Sequence, residues 1–176
     1  MNRRRANVAL SLTLGLVVAY AGFYLLSGPV RRLEVHGVIA LLGWHRVSVV
    51  QGDTFQVLAS HGLPFRAEVT PYCSSLIALL ALAVICLFVL HGPVLRRVGA
   101  LLLSASVILL GNILRITASI WMGDRFGVHW LVLFHDWVGT LFALAYTMAG
   151  FFLMVWVLLP SATARIARAA RVSDTL

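Results

Sequence analysis

Four long apolar runs constrain the fold of this chain more than any other feature of its sequence. They cover about residues 8–26, 72–90, 98–120 and 130–159. A helix needs roughly 20 apolar residues to cross the hydrocarbon core of a bilayer, and each run meets or approaches that length. Because 61% of the residues are hydrophobic, we exclude a soluble domain and expect residues 1–176 to form one integral-membrane domain.

Two of these runs leave alternatives open. Arg3-Arg4-Arg5 precedes the first run and Ala19-Tyr20-Ala21 resembles a cleavage site, so this run is either a retained anchor or a signal peptide. The apolar stretch continues past that site to Leu26, which favours the anchor. The fourth run is longer than a bilayer requires, so we expect its helix to be tilted or to begin outside the hydrocarbon.

The arginines predict the orientation of the spans. Positive clusters flank the runs at residues 3–5, 96–97 and 165–171, and the positive-inside rule assigns such clusters to the cytoplasm. Both termini are then cytoplasmic, and residues 160–176 form a basic cytoplasmic tail. The net charge of +8 is therefore explained by orientation and lipid headgroups, and we expect no nucleic-acid partner.

The outer loop between the first two spans, residues 27–71, has structure of its own. Apolar residues at helical spacing predict an amphipathic helix over about residues 31–44 at the outer headgroups: Val35, Val38, Ile39 and Leu42, with Trp44 as an interface anchor. Residues 46–50 and 55–58 flank Gln51-Gly52-Asp53-Thr54, which predicts a β-hairpin, and residues 67–70 could add a short strand. The predicted fold class is an all-α membrane protein with four transmembrane helices, plus this small extracytoplasmic region of interfacial helix and hairpin.

Three polar residues lie at or just inside the ends of three different apolar runs: Cys73, Arg115 and His135. A charged residue in a membrane is costly, roughly 2.5–3.5 kcal/mol for arginine at a helix centre, so its presence suggests a function. The predicted topology brings all three residues to the outer face. There, a thiol, an imidazole and a fixed cation supply the parts of a cysteine acyl-transfer site.

Cys73 lies where the second span begins, between Pro71 and Ser74. The positive end of the helix dipole and the unpaired N–H groups at such a start lower the pKa of a thiol, and Ser74 offers a nearby hydrogen-bonding group. The alternative is a buried thiol without chemistry. Cys86, in contrast, lies in a wholly apolar stretch, where we expect a small core or lipid-facing residue.

Arg115 and His135 have comparable alternatives. Arg115 shares a helix face with Asn112, three residues earlier. It either anchors the span and clamps lipid phosphate, or donates to a substrate carbonyl, carboxylate or oxyanion. His135 is either a hydrogen-bonded interfacial residue or a general base and acid. Gly139, four residues on, shares its face and lets another helix approach closely.

The other histidines do not suggest a metal or haem site. The five other histidines are His36, His45, His61, His91 and His129. They show no metal-ligand spacing such as H-x-x-x-H, and no two of them are expected at matching depth for a haem. We therefore expect no metal and no cofactor. His129 is instead the rival to His135 as base, and Asp136 is a weak candidate for orienting the His135 ring.

The order of these motifs along the chain resembles that of the exosortase/archaeosortase family. The matching positions are Cys73-Ser74, then Asn112 with Arg115 and Ile116, then His135 with Gly139, within about residues 47–159. The resemblance implies a multi-pass cysteine protease and transpeptidase of the plasma membrane. In it, Cys73 is the nucleophile, His135 the base and acid, and Arg115 the donor to the oxyanion or scissile strand. This chain departs from the family at Ser75, where a glycine usually follows Cys-Ser.

The resemblance also implies the partners. The substrates would be secreted precursor proteins with a C-terminal signal made of a short motif, a hydrophobic helix and a basic end, and the acceptor would be water, an amine or a membrane lipid. The rival function is a non-catalytic membrane component that binds lipid or supports an export or polysaccharide system. The sequence leaves the oligomeric state open.

Overall fold

The structure is a computed structural model that describes residues 3–43, 47–51, 53–58, 64–90 and 93–159. The helices are α1 (Arg3–Leu42), α2 (Leu76–Val84), α3 (Val94–Phe126), α4 (Val128–Leu133) and α5 (Gly139–Leu158). The strands are β1 (Val47–Gln51), β2 (Thr54–Val57) and β3 (Phe65–Glu68). A first π-helical turn (Ile85–Val89) continues α2, and a second π-helical turn (Phe134–Val138) joins α4 to α5.

Three helical segments in the described part of the chain are long and apolar enough to cross a membrane. They are Thr13–Leu42, Val94–Phe126 and Val128–Leu158. The span expected over residues 72–90 is instead a short apolar helix, Leu76–Phe88, because residues 71–75 form a turn ahead of it.

Helix α1 corrects one prediction about the outer region. A separate interfacial helix over residues 31–44 is wrong, because α1 continues unbroken to Leu42 with Pro29 inside it. Proline removes one backbone donor from a helix. Here Arg31 donates from Nε to the Ser27 carbonyl at 3.1 Å, and its guanidinium pairs with Asp53 in the hairpin. These contacts hold the helix across the segment that the sequence marks as a loop.

The apolar face predicted on this segment is present, but it packs against protein. Val35, Val38 and Ile39 are fully buried. They share one core with residues of the sheet and of α3: Phe55, Val57, Val69, Ile113, Ile116 and Ile120. The apolar face at the end of α1 is therefore part of the protein core.

The predicted hairpin is confirmed, with β1 antiparallel to β2. Strand β3 pairs antiparallel with β2, which gives a three-stranded sheet in the order β1-β2-β3, and it begins two residues earlier than the predicted strand at 67–70. Trp44, Gly52 and the tail over residues 160–176 lie outside the described residues. The sheet covers the end of α3 and leads the chain into the turn that carries Cys73.

Candidate active site

Cys73 lies in a tight turn between β3 and α2. The backbone N–H groups of Cys73 and Ser74 both donate to the Thr70 carbonyl, at 3.0 and 3.2 Å, and Ser75 is the N-cap of α2. The sequence predicts Cys73 at the start of the helix, but in the structure Cys73 precedes the helix. The Thr70 carbonyl holds Cys73 and Ser74 in a turn ahead of the helix. A lowered pKa of the thiol therefore has to come from the side chains around it and not from the helix start.

The His135 side chain contacts this thiol, although the two residues are 62 positions apart in the sequence. The Sγ atom of Cys73 lies 3.2 Å from Nε2 of His135, and the Thr70 hydroxyl donates to the same sulfur at 3.2 Å. His135 belongs to the second π-helical turn, and such turns occur frequently at functional sites. The rival base His129 lies in α4 and is exposed.

These neighbours change the acidity of the thiol. The hydrogen bond with His135 contributes most to lowering the pKa of Cys73 below its ordinary value. Burial acts in the opposite direction, while the bond from Thr70 and the positive charges of His135 and Arg115 lower the pKa further. Because the thiolate is the reactive form of cysteine, the site favours nucleophilic attack.

Arg115 lies beside the same imidazole and is almost completely buried, with 9% of its surface exposed. Its Nη2 is 3.4 Å from Nε2 of His135, and Nη1 donates to Oδ1 of Asn112 at 3.5 Å. Arginine only donates, so Nε2 accepts in this contact when the ring carries a proton on Nδ1 alone. The same Nε2 lies within hydrogen-bonding reach of the Cys73 sulfur, which is the position that a base for the thiol proton requires.

Gly139 makes room for this arginine. A Cβ atom at position 139 would lie 2.8 Å from Nε of Arg115. The sequence predicts that Gly139 lets a neighbouring helix approach, and the neighbour that approaches is the Arg115 side chain of α3. In the described residues, the buried Nε of Arg115 has no hydrogen-bond partner, so one donor beside the site is unused.

A buried polar network below the turn holds the site together. Glu34 and Asn112 are both fully buried. Oε1 of Glu34 accepts bonds from the Ser75 N–H at 2.8 Å, the Ser75 hydroxyl at 2.6 Å and Nδ2 of Asn112 at 2.9 Å. Asn112 also donates to the carbonyl of Cys73 at 2.9 Å and accepts from the Tyr146 hydroxyl at 2.9 Å. The network joins α1, the turn, α3 and α5.

Sequence reasoning missed Glu34, Thr70 and Tyr146 in this arrangement. A signal for Glu34 was available, since it lies four residues before Val38 on the apolar face of the predicted helix, where a carboxylate needs partners. Ser75 also gains a specific explanation. Its hydroxyl binds Glu34, which a glycine at this position could not do.

Two further predicted site residues, Ser74 and Asp136, make no hydrogen bond to the thiol in the structure. The Ser74 hydroxyl accepts from the Leu76 N–H at 3.3 Å, so Ser74 supports the start of α2. The Asp136 side chain is exposed. In the described part of the chain, no three His, Cys, Asp or Glu side chains lie close enough together to hold a metal ion.

The Cys73 thiol and the His135 ring open into a cavity of about 230 Å³. One wall is β3, and the other consists of apolar residues of α3 and α4, namely Ile116, Ile120, Val128 and Leu131. A thiol, an imidazole, a buried cation and an apolar cavity are thus brought together at one end of the helical bundle. These are the residue types that acyl transfer through a thioester requires.

Comparison with known proteins identifies the family. The family model described as transmembrane exosortase matches residues 3–168, which is most of the chain. The chain belongs to the transmembrane exosortase family, as the resemblance of its motifs predicts. No curated protein and no solved structure matches it.

Proposed function

We propose that this transmembrane exosortase is a cysteine protease and transpeptidase that cleaves the C-terminal sorting signal of secreted proteins. The observation that carries the proposal is the 3.2 Å contact between Cys73 Sγ and His135 Nε2 at the cavity wall. A nucleophile within hydrogen-bonding reach of a base is the arrangement that covalent catalysis requires.

In the first half of the reaction, Nε2 of His135 takes the thiol proton and the Cys73 sulfur attacks the carbonyl carbon of the scissile peptide bond. A tetrahedral oxyanion forms. When it collapses, the C–N bond breaks and His135 gives its proton to the leaving amine. The precursor remains bound to Cys73 as a thioester.

Arg115 stabilises the negative charge that develops on the carbonyl oxygen, or positions the scissile strand. Its guanidinium lies at the His135 ring and stays charged throughout, so it can donate but cannot replace the base. Asn112 supports both sides of the reaction centre, because it bonds to the Cys73 carbonyl and to Arg115. In the second half, water, an acceptor amine or a membrane lipid attacks the thioester and releases Cys73.

The proposed topology has four membrane segments, in which α2 with its π-helical turn is the short one, and both termini in the cytoplasm. Arg96 supports this arrangement by donating to the carbonyls of Val157 and Leu159, and Arg97 by donating to the carbonyl of Cys86. These bonds gather the ends of α2 and α5 and the start of α3 on one side, away from Cys73. The positive-inside rule makes that side cytoplasmic and the Cys73 side extracytoplasmic, in the plasma membrane.

A lipid-binding component without catalysis is less consistent with the surroundings of Arg115. A headgroup clamp needs an accessible guanidinium. Arg115 is 9% exposed and already contacts Asn112 and His135. The contact between Cys73 and His135 would also serve no purpose in that protein.

The two cysteines provide a matched test. A precursor ending in a motif, an apolar helix and an arginine cluster is co-expressed with wild type, Cys73→Ala or Cys86→Ala, and its size is followed by blotting and mass spectrometry. We expect wild type and Cys86→Ala to process the precursor, and Cys73→Ala to leave it intact. Continued processing by Cys73→Ala would refute the enzyme and favour the lipid-binding component.

Labelling of intact cells tests the sidedness. A membrane-impermeant maleimide added outside is expected to modify Cys73 in the Cys86→Ala background. Protection of Cys73 in intact cells, with modification after lysis, would reverse the proposed topology.

A further inference from the structure

Strand β3 forms one wall of the cavity that contains the Cys73 thiol. All five consecutive residues from Phe65 to Val69 line it. The side chains alternate, since Phe65 and Ala67 pack towards the core while Arg66 and Glu68 are exposed. The strand therefore borders the cavity with its backbone as well as with its inward side chains.

One edge of β3 has no partner strand in the described part of the chain. The other edge faces β2, because the Val69 N–H donates to the Asp53 carbonyl at 3.1 Å. Backbone groups of successive residues in an antiparallel strand point to opposite sides. Ala67 therefore also faces β2, and Arg66 and Glu68 direct their N–H and C=O groups towards the open edge.

We infer that the substrate peptide binds as an added strand along this open edge, in extended conformation, with an apolar side chain in the cavity and its scissile carbonyl at Cys73. The inference rests on the proposed peptidase function and adds how the substrate is held. Edge pairing of this kind gives affinity through main-chain bonds and specificity through pockets for alternate side chains.

Two observations favour a peptide over other occupants. The open edge offers donors and acceptors from every second residue, which is the repeat of an extended chain. A helix has already satisfied its own backbone groups, and a lipid acyl chain has none. The residues that form this edge also line the cavity that holds the Cys73 thiol, so a paired strand would lie beside the nucleophile.

The inward surface of the cavity sets the expected specificity. It is lined mainly by apolar side chains, among them Phe55, Phe65, Ile120 and Leu131. Its volume of about 230 Å³ limits the occupant to one or two side chains. The proposed substrate therefore has an apolar residue next to its cleaved bond, and its neighbours in the extended strand point away from the cavity.

Proline substitution on the enzyme tests the edge without breaking the sheet. Glu68→Pro removes the one N–H that faces the open edge at this position and fills its place with a ring, while the bonds to β2 remain. Glu68→Ala is the matched control, because it removes the side chain and keeps the N–H. Arg66→Pro and Arg66→Ala form a second pair.

Full-length protein in nanodiscs is assayed with the precursor. We expect each proline variant to raise KM by at least about tenfold over its alanine control and to leave the alkylation rate of Cys73 unchanged. Equal KM values for the proline and alanine variants would overturn the inference while leaving the proposed enzyme intact.

A second measurement covers the case in which the proline variants do not fold. The probe is a synthetic peptide that copies the segment just before the apolar helix of the precursor, with single N-methyl groups placed along it, and binding to the Cys73→Ala protein is measured. Pairing on one edge predicts that methylation weakens binding at every second position. Uniform tolerance, or no binding, would overturn the added strand. Alternating binding without any processing by wild type would instead refute the peptidase and keep the docking mode.

Discussion

The two cysteines of this chain lie near opposite ends of the short helix formed by α2 and its π-helical turn. The two ends differ in what the neighbouring side chains contact. At the Cys73 end, the thiol contacts His135, and the nearby Arg115 has an unused Nε donor. At the Cys86 end, Arg97 donates from Nε to the Cys86 carbonyl at 3.0 Å, and Cys86 is buried with 1% of its surface exposed. Each end thus combines a cysteine, an arginine and a π-helical turn.

The comparison shows that residue types alone do not make a reactive site. Arg97 satisfies carbonyl oxygens that the end of a helix leaves without partners, which is a structural role. Arg115 lies in the middle of a helix whose carbonyls need no such partner, and its guanidinium contacts the side chains of Asn112 and His135 instead. The two arginines therefore differ in whether they bind helix-end carbonyls or side chains beside the Cys73 thiol.

Replacing the two arginines gives the largest expected contrast. Arg115→Ala should lower the rate of precursor processing by about 10²–10³-fold, because it removes a donor to the developing oxyanion. Arg97→Ala should lower the thermal stability but leave processing per folded molecule within about twofold. Rates are measured with purified protein and normalised to the folded fraction. Equal losses in the two variants would mean that both arginines are only structural.

The pH dependence of alkylation tests the acidity of the Cys73 thiol. A lowered pKa means that more of Cys73 is thiolate at neutral pH, so its alkylation rate should reach half of its maximum at a lower pH than that of an ordinary cysteine. His135→Ala removes the main cause of the lowering. We expect the midpoint to rise and the rate at pH 7 to fall by about tenfold. Iodoacetamide labelling in the Cys86→Ala background measures the midpoint, and an unchanged midpoint in His135→Ala would contradict the assigned contact.

Two glycines, one at each end of the bundle, give a smaller contrast. Gly139→Ala places a methyl group 2.8 Å from Nε of Arg115, which has to move. We expect processing to fall by about tenfold, since small misplacements of catalytic groups reduce rates strongly. Gly99→Ala is the control, because a Cβ there meets nothing within 4 Å. If Gly139→Ala processes as fast as Gly99→Ala, the position of Arg115 is not critical.

The smallest expected effect concerns Ser75, which takes the place of the family's usual glycine. Ser75→Ala removes the hydroxyl bond to Glu34 and keeps the N–H bond, so we expect a loss of about 1 kcal/mol in the free energy of unfolding and a few-fold slower processing. The control is Ser106→Ala, whose exposed hydroxyl bonds only to its own helix. Thermal unfolding in detergent measures both variants. A Ser75→Ala protein as stable as Ser106→Ala would show that Glu34 does not depend on this bond.

Much of the fold was predictable because its signals are local. Apolar length predicts the long helices, and the alternation around residues 51–54 predicts the hairpin. The passage of α1 across Pro29 was not predictable, since it depends on Arg31 meeting Asp53 in the hairpin, 22 residues away. The buried face of α1 was recognised, but its covering partner is the sheet, which no local pattern reveals.

The site was predictable where a residue type was out of place and not where it depended on contacts. Cys73, Arg115 and His135 stand out at the ends of apolar runs, and the structure brings the thiol and the imidazole together. The position of Glu34 on an apolar helix face shows that it needs partners, but their identity as Ser75 and Asn112 could not be derived without knowing what covers that face. The role of Gly139 likewise required the position of the Arg115 side chain.

The second π-helical turn has a consequence for how this site tolerates changes in chain length. A π-helical turn contains one residue more than an α-helical turn, and Trp137 within it is 73% exposed. Deleting Trp137 would therefore remove little packing, yet it would close the wide turn to an ordinary α-helical turn and redirect the side chains within it, including His135. The His135 ring would then point in a different direction relative to Cys73, although Cys73, Arg115 and His135 would all remain in the sequence. In this segment, the number of residues is as much a part of the active site as their identity.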